Sequence, residues 1–199
     1  MNLSFETKLA DKYIGQSQKI RVLTAHWVGN QVYCPSCGHL EINKYENNRP
    51  VADFFCSNCK EDYELKSKKE AVGTKIVDGA YRTMIERLQD SRNPNLFLLN
   101  YDFQTWQVVN FIVIPKHFFV PEIIEKRKAL SQTAIRAGWV GCNILLQSIP
   151  KTGKIFMIRN KIIESKDKVL MEWKMTLFLH VRSLVLLVLG EVLEFSRAK

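Results

Sequence analysis

Apolar and polar positions alternate in a way that changes three times along the chain. From Phe5 to Ile14, and again behind Ser17 as an N-cap, the apolar residues recur at helical spacing, with Ile20, Leu23, Ala25 and Trp27 on the second segment. The pattern then breaks into turn residues and cysteines from Tyr33 to Arg49. Val51–Phe55 and Tyr63–Lys66 read as strands around a tight Cys-Ser-Asn-Cys knuckle, and Gly79 to Gln89 as a helix with Met84, Ile85 and Leu88 on one side. Asn93-Pro-Asn95 ends that helix. Leu96–Leu99 and Val108–Ile114 are continuous apolar runs of strand length, with Pro115 closing the second. A basic polar stretch from Glu125 to Arg136 leads to Ala137-Gly-Trp-Val-Gly141, and Asn143–Leu146 and Ile155–Ile158 read as further strands. Strands enclosed by helices, with a small cysteine-bearing lobe, predict an α/β or α+β fold.

Composition narrows the picture without deciding it. The 199 residues fit one domain with a short appendage, and 46% hydrophobic residues can build a core. Lys plus Arg exceeds Asp plus Glu by 29 to 20, giving +9, a balance suited to a phosphate backbone. The first residues lack a basic segment followed by an apolar one, and no run of eighteen apolar residues occurs. Five cysteines in such a chain point to metal ligands in place of disulfides, and the expected setting is the bacterial cytoplasm, with no membrane partner.

Four of those cysteines form two knuckles, Cys34-Pro-Ser-Cys37 and Cys56-Ser-Asn-Cys59, separated by eighteen residues. This spacing is that of a four-cysteine zinc site. Such a closed shell of four sulfurs leaves no position for substrate, so a structural Zn²⁺ is expected. His39 lies close enough to replace one thiolate, and Cys142 stands apart as a small buried residue.

Asp53 precedes the second knuckle by three residues, and Glu64-Leu65-Lys66 follows it by five. In a strand Glu64 and Lys66 project from one face while Leu65 faces the core. A knuckle that fixes the turn would hold the Asp53 strand against the Glu64 strand. Two carboxylates and the Leu65 carbonyl suit Mg²⁺, which takes oxygen ligands and keeps water. Lys66 would then offset charge developing on a phosphate. The competing reading is a salt-bridged edge strand, in which Lys66, Lys68 and Lys69 are solubilising charges. Asp62, Glu6 and Glu46 are further acids without an assigned role.

The run from Glu46 to Cys59, Tyr63-Glu-Leu-Lys-Ser-Lys-Lys69, Asp78-Gly-Ala-Tyr81, Asn93-Pro-Asn95 and Arg136-Ala-Gly-Trp-Val-Gly-Cys-Asn-Ile144 together resemble the DpnI-type restriction enzymes, from about Ser17 to about Leu179. The resemblance implies a PD-(D/E)xK core, with a central mixed sheet flanked by helices and a four-Cys zinc insertion. It further implies a Mg²⁺-dependent endonuclease acting on double-stranded DNA with N6-methyladenine in GATC. Asp53, Glu64 and Lys66 would be catalytic, Asp53, Glu64 and Leu65 would hold magnesium, and Cys34, Cys37, Cys56 and Cys59 zinc. Trp139 would approach the adenine methyl groups, with Arg136, Ser131, Gln132 and Thr133 near phosphate or base edges. Without the resemblance, Trp139 reads as a core filler. One such site per chain calls for two chains meeting transiently on DNA, or for two successive nicks.

Residues 1–180 are expected to form the catalytic domain, and 181–199 a divergent apolar tail standing where the resembled family has a winged helix. Two rival readings remain open. One is a non-catalytic zinc-ribbon DNA-binding protein, or an inactive remnant of the nuclease. The other is an HNH nuclease, for which His39 is the candidate base.

Overall fold

Ile20, Leu23, Trp27 and Val28 recur at helical spacing and bury one face of α1 (Gln16–Gln31). The computed structural model describes residues 1–46, 52–69, 71–88 and 93–178. In chain order α1 is followed by β1 (Asn43–Lys44), β2 (Phe54–Phe55), β3 (Asp62–Lys68), β4 (Lys75–Ala80) and α2 (Tyr81–Leu88). Next come β5 (Asn95–Asp102), β6 (Gln107–Ile114), β7 (Ile124–Lys126), β8 (Gly141–Leu145), β9 (Ile155–Arg159) and β10 (Ile162–Ile163). A final helix, α3, covers 166–178.

Seven strands make the main sheet in the order β1-β2-β3-β5-β6-β9-β10, and β4-β8-β7 make a smaller one. The main sheet is mixed, because β3 and β5 run parallel while its other neighbours are antiparallel. A parallel pair needs a crossover, which β4 and α2 supply. Both faces of the central strands are covered, which explains their unbroken apolar runs. Phe97, Leu99, Phe111 and Val113 face α1 and α3, whereas Leu96, Leu98, Ile112 and Ile114 face α2 and the smaller sheet. The α/β reading of the sequence, with a mixed sheet between helices and a four-cysteine cluster, therefore holds.

Several element boundaries differ from the pattern. Phe5–Ile14 is not a helix; it contains one 3-10 turn, Thr7–Ala10. Its start, with the residues before it, lies along β6 instead, with Val108 N–H donating to the Leu3 carbonyl and Phe5 N–H to that of Trp106, both at 2.8 Å. Ser17 does not cap α1. The cap position is two residues earlier, at Gly15, whose carbonyl accepts from Gln18 and Lys19 at 3.0 Å each. Gly79 and Ala80 end strand β4 instead of opening α2, because Ala80 pairs with Gly141. The strand expected over 51–55 is confined to Phe54–Phe55 among the described residues, and Val51, Gln89 and the tail 181–199 lie outside them. Helix α3 escaped the pattern, although Val169, Trp173 and Thr176 bury a helical stripe. No helix among the described residues is long and apolar enough to cross a membrane.

The aromatic centre joins sheet to helix. Tyr63 and Phe97 stack with ring centroids 4.3 Å apart, Phe97 meets Phe111 at 5.1 Å, and Phe111 meets Trp27 edge-on at 5.4 Å. Phe97 is fully buried. Phe97→Ala should lose about 3–5 kcal/mol of stability through lost transfer and the cavity left behind. Urea unfolding of the metal-loaded protein measures this, and a loss below about 1 kcal/mol would mean that the stack is not central to the core.

Candidate functional site

The two cysteine knuckles fold alike. Gly38 N–H donates to the Cys34 carbonyl at 2.8 Å, and Lys60 N–H to the Cys56 carbonyl at 3.0 Å. Both donors sit one residue past the second cysteine and have positive φ, 78° at Gly38 and 62° at Lys60. Glycine meets that demand freely, whereas Lys60 must be held there by the turn. Gly38 also lies under α3, where a Cβ would come within 3.0 Å of the Lys166 side chain.

The knuckles bring the four sulfurs within 4.8 Å of one another. Cys34 to Cys59 is 3.5 Å and Cys37 to Cys56 is 3.6 Å, far beyond a disulfide bond. A tetrahedral ion with sulfur ligands at about 2.3 Å requires sulfurs about 3.8 Å apart, so the cluster fits one. Asn58 Nδ2 donates to the Cys37 sulfur at 3.4 Å, and the Tyr63 hydroxyl lies 3.2 Å from that of Cys34. Burial works against ionisation of Cys37, yet hydrogen bonds from Asn58 and the His39 backbone lower it to about 6. Burial dominates at Cys34 and pushes its thiol up. A bound cation lets all four ionise together. His39 is not needed as a ligand; its carbonyl accepts from the Cys34 N–H at 2.8 Å.

The second knuckle also sets a hairpin. β2 and β3 pair antiparallel with Phe55 opposite Asp62 and Phe54 opposite Tyr63, and Asp53 N–H donates to the Tyr63 carbonyl at 3.0 Å. Asp53 thus falls across from Glu64. Its Oδ2 accepts the Leu65 N–H at 2.8 Å. A strand residue directs its N–H and C=O to the same side, so the Leu65 carbonyl shares that edge. Asp53 and Leu65 line a groove of the described residues together with Arg21, Lys44, Tyr45, Glu46 and Ser67.

Glu64 and Lys66 point to the opposite sheet face from Leu65, toward β4 and α2. Lys66 Nζ lies 2.6 Å from Glu64 Oε1 and 2.6 Å from Asp78 Oδ1, while Arg87 Nη1 lies 2.9 Å from Glu64 Oε2. Burial would lower the Lys66 ammonium, but the Glu64 and Asp78 carboxylates outweigh it and raise it. Burial would raise Asp78, and Lys66, the Gly79 N–H and Arg87 bring it below the usual carboxylate value. Lys66 is therefore an interior cation, a quarter exposed, and not the solubilising surface charge of the alternative reading.

The remaining candidates separate. Asp62 shares the Glu64 face in sequence, but its Oδ1 accepts the Tyr45 hydroxyl at 2.8 Å. Glu6 pairs with His26, and Glu46 stays on the groove rim beside Asp53. Trp139 is half-buried on the loop before β8, with the Arg136 guanidinium 4.9 Å from its ring. Gly138 takes φ 76°, and a Cβ at Gly141 would sit 2.7 Å from the indole. Trp139 therefore rests on Gly141 and is not buried between strands. Ser131, Gln132 and Thr133 are exposed on the same loop, with the Ser131 and Thr133 hydroxyls 3.0 Å apart. Sequence reasoning assigned no role to Asp78 or Arg87. Asp78 stood within a quoted run, but nothing in the pattern marks Arg87 as an interior residue.

Among models of known families, that of the Dam-replacing family, DpnI, matches residues 1–182. The match takes in both knuckles, the β2–β3 hairpin and the Trp139 loop. The cluster geometry predicts about one equivalent of a thiophilic divalent ion per chain, lost in Cys56→Ser with a fall in thermal stability. Elemental analysis with thermal unfolding checks this, and an unchanged melting point in a metal-free Cys56→Ser protein would remove the cluster's structural role.

Proposed function

The chain belongs to the Dam-replacing family, and on that premise we propose that it is a Mg²⁺-dependent restriction endonuclease. Its substrate on this reading is double-stranded DNA carrying N6-methyladenine, in GATC. The observation that carries the proposal is the Asp53 carboxylate bonded to the Leu65 N–H, with Glu64 and Lys66 flanking Leu65 on the same short strand. Asp53 and Leu65 border a groove with the cations Arg21 and Lys44, while Glu64 and Lys66 are paired with each other on the opposite face of the same strand. The +9 net charge favours a polyanionic partner.

Asp53, Glu64 and the Leu65 carbonyl would hold the Mg²⁺, which when bound polarises a phosphate and lowers the pKa of water. Lys66 would supply positive charge beside the phosphoryl oxygens and orient the attacking water; as the water oxygen adds to phosphorus it gives up a proton to solvent, the bond to the leaving oxygen breaks, and that oxygen takes a proton from solvent. Cys34, Cys37, Cys56 and Cys59 are assigned to structural Zn²⁺, away from the reacting atoms. Trp139 offers a half-exposed indole for the adenine methyl group, and Arg136 a cation for phosphate or a base edge. We assign this activity to residues 1–180, with two chains or two nicks needed to cut both strands.

Purified protein with Mg²⁺ should cut an adenine-methylated plasmid and spare its unmethylated twin. Lys66→Ala should lower the rate by about 10²- to 10³-fold. Trp139→Ala should instead erode the preference for methylated DNA by about tenfold or more while cutting persists, since a methyl contact in an apolar site carries that much discrimination. Equal cutting of both plasmids would discard methyl readout. No cutting of either, by folded protein that retains its metal and shifts DNA mobility, would leave a binding protein without catalysis.

A further inference from the structure

Glu64, a proposed ligand for the divalent cation, has both carboxylate oxygens taken. Oε1 faces Lys66 at 2.6 Å and Oε2 faces Arg87 at 2.9 Å. Arg87 comes from α2, where it follows the buried Met84 by one turn, and its side chain is only 17% exposed. Its guanidinium is incompletely used: Nε is buried without a hydrogen-bond partner among the described residues. Beside it lies Asp78, whose side chain is 7% exposed. Asp78 Oδ1 accepts from Lys66 at 2.6 Å and from the Gly79 N–H at 2.7 Å. Among the described residues, its Oδ2 has a cation only at 4.0 Å, Arg87 Nη2.

Two cations and two anions thus balance, but not evenly. Glu64 is saturated, whereas Asp78 keeps an oxygen one short movement away from the guanidinium. We propose that Arg87 and Asp78 are positioning residues that set the affinity of the site for its divalent cation. Arg87 holds Glu64 at rest and shifts to Asp78 Oδ2 when Glu64 turns to the cation. Lys66 meanwhile keeps its Asp78 contact, so the ammonium stays in place when it loses Glu64. Without Asp78, both buried cations would bear on Glu64 alone and the carboxylate would be harder to free. Without Arg87, Glu64 would be released with one competitor fewer. The inference rests on the nuclease reading for the identity of Glu64 as a ligand, and its test separates the two.

The measurement is Mn²⁺ binding by the protein with its cysteine cluster loaded, followed by the electron paramagnetic resonance of free Mn²⁺, with plasmid cleavage run in parallel. Arg87→Gln should bind Mn²⁺ about tenfold tighter than the wild type, and Asp78→Asn several-fold more weakly, within the usual range of coupling between neighbouring sites. The double variant should return toward wild-type affinity. Shifts of opposite sign are not what general loosening of the fold would produce. Equal or weaker binding by folded Arg87→Gln, or equal or tighter binding by Asp78→Asn, overturns the proposal. If Arg87→Gln does not fold, Asp78→Asn alone decides. A wild type that binds no Mn²⁺ overturns the clamp and the nuclease reading together. Opposite shifts in a protein that cuts no DNA support the clamp and overturn only the nuclease reading.

Discussion

The hairpin between Asp53 and Glu64 depends on four sulfurs meeting at one point. β2 contributes only Phe54 and Phe55 to its pairing with β3, too few bonds to fix a register unaided. The Cys56–Cys59 knuckle closes the turn, and the Cys34–Cys37 knuckle ties it to the end of α1 and the underside of α3. A slip of one residue in this pairing would exchange the two faces of the strand. Asp53 would then no longer oppose Glu64. Tyr63 adds a second restraint, since its ring stacks on Phe97 in the core while its hydroxyl meets the Cys34 sulfur. The cluster and the aromatic core therefore fix the same strand from two directions.

β3 carries this constraint into a strand with two unlike faces. Tyr63 and Leu65 join the aromatic core, while Glu64 and Lys66 enter the opposite layer beside β4 and α2. Burying isolated charges is costly, and removing one member of a buried pair leaves its partner uncompensated. The layer offsets this by bringing Asp78 and Arg87 from separate elements, so that two positive and two negative groups meet. α2 is placed to do so because Met84, Ile85 and Leu88 seat it in the apolar layer it shares with the smaller sheet. The apolar stripe of the helix thereby determines where its arginine falls.

The same elements show what a sequence can disclose. The knuckle spacing is local chemistry, and the long strands are unbroken apolar runs, so both were legible from residue order. The two faces of β3 followed from the strand period once the hairpin was assumed. Phe5–Ile14 misled because its apolar spacing is helical, yet its first residue bonds to Trp106, a hundred residues distant, and the rest makes only short-range turns. Asp78 and Arg87 were illegible for a related reason. An arginine in an amphipathic helix looks like a surface charge until the layer that covers it is known. Trp139 could be read as core filler or exposed ring, and the deciding fact, its seat on Gly141, is a contact between residues whose packing the local pattern does not encode.

On the reading proposed for this chain, β4 joins the two halves of the site. Asp78 pairs with Cys142 and Ala80 with Gly141, and the register shifts between them at Gly79. Such an irregularity re-aims the side chains around it. On one side of it Asp78 grips Lys66. On the other, Gly141 supports the indole of Trp139, with the Gly79 carbonyl 3.5 Å from the point where a Gly141 Cβ would stand. A displacement of the Trp139 loop would therefore press on the backbone next to the carboxylate that steadies Lys66. Gly141 is small because the Trp139 ring occupies the place a Cβ would take, 2.7 Å away. The residue proposed to sense a methyl group and the one proposed to assist hydrolysis thus share a single strand as their support.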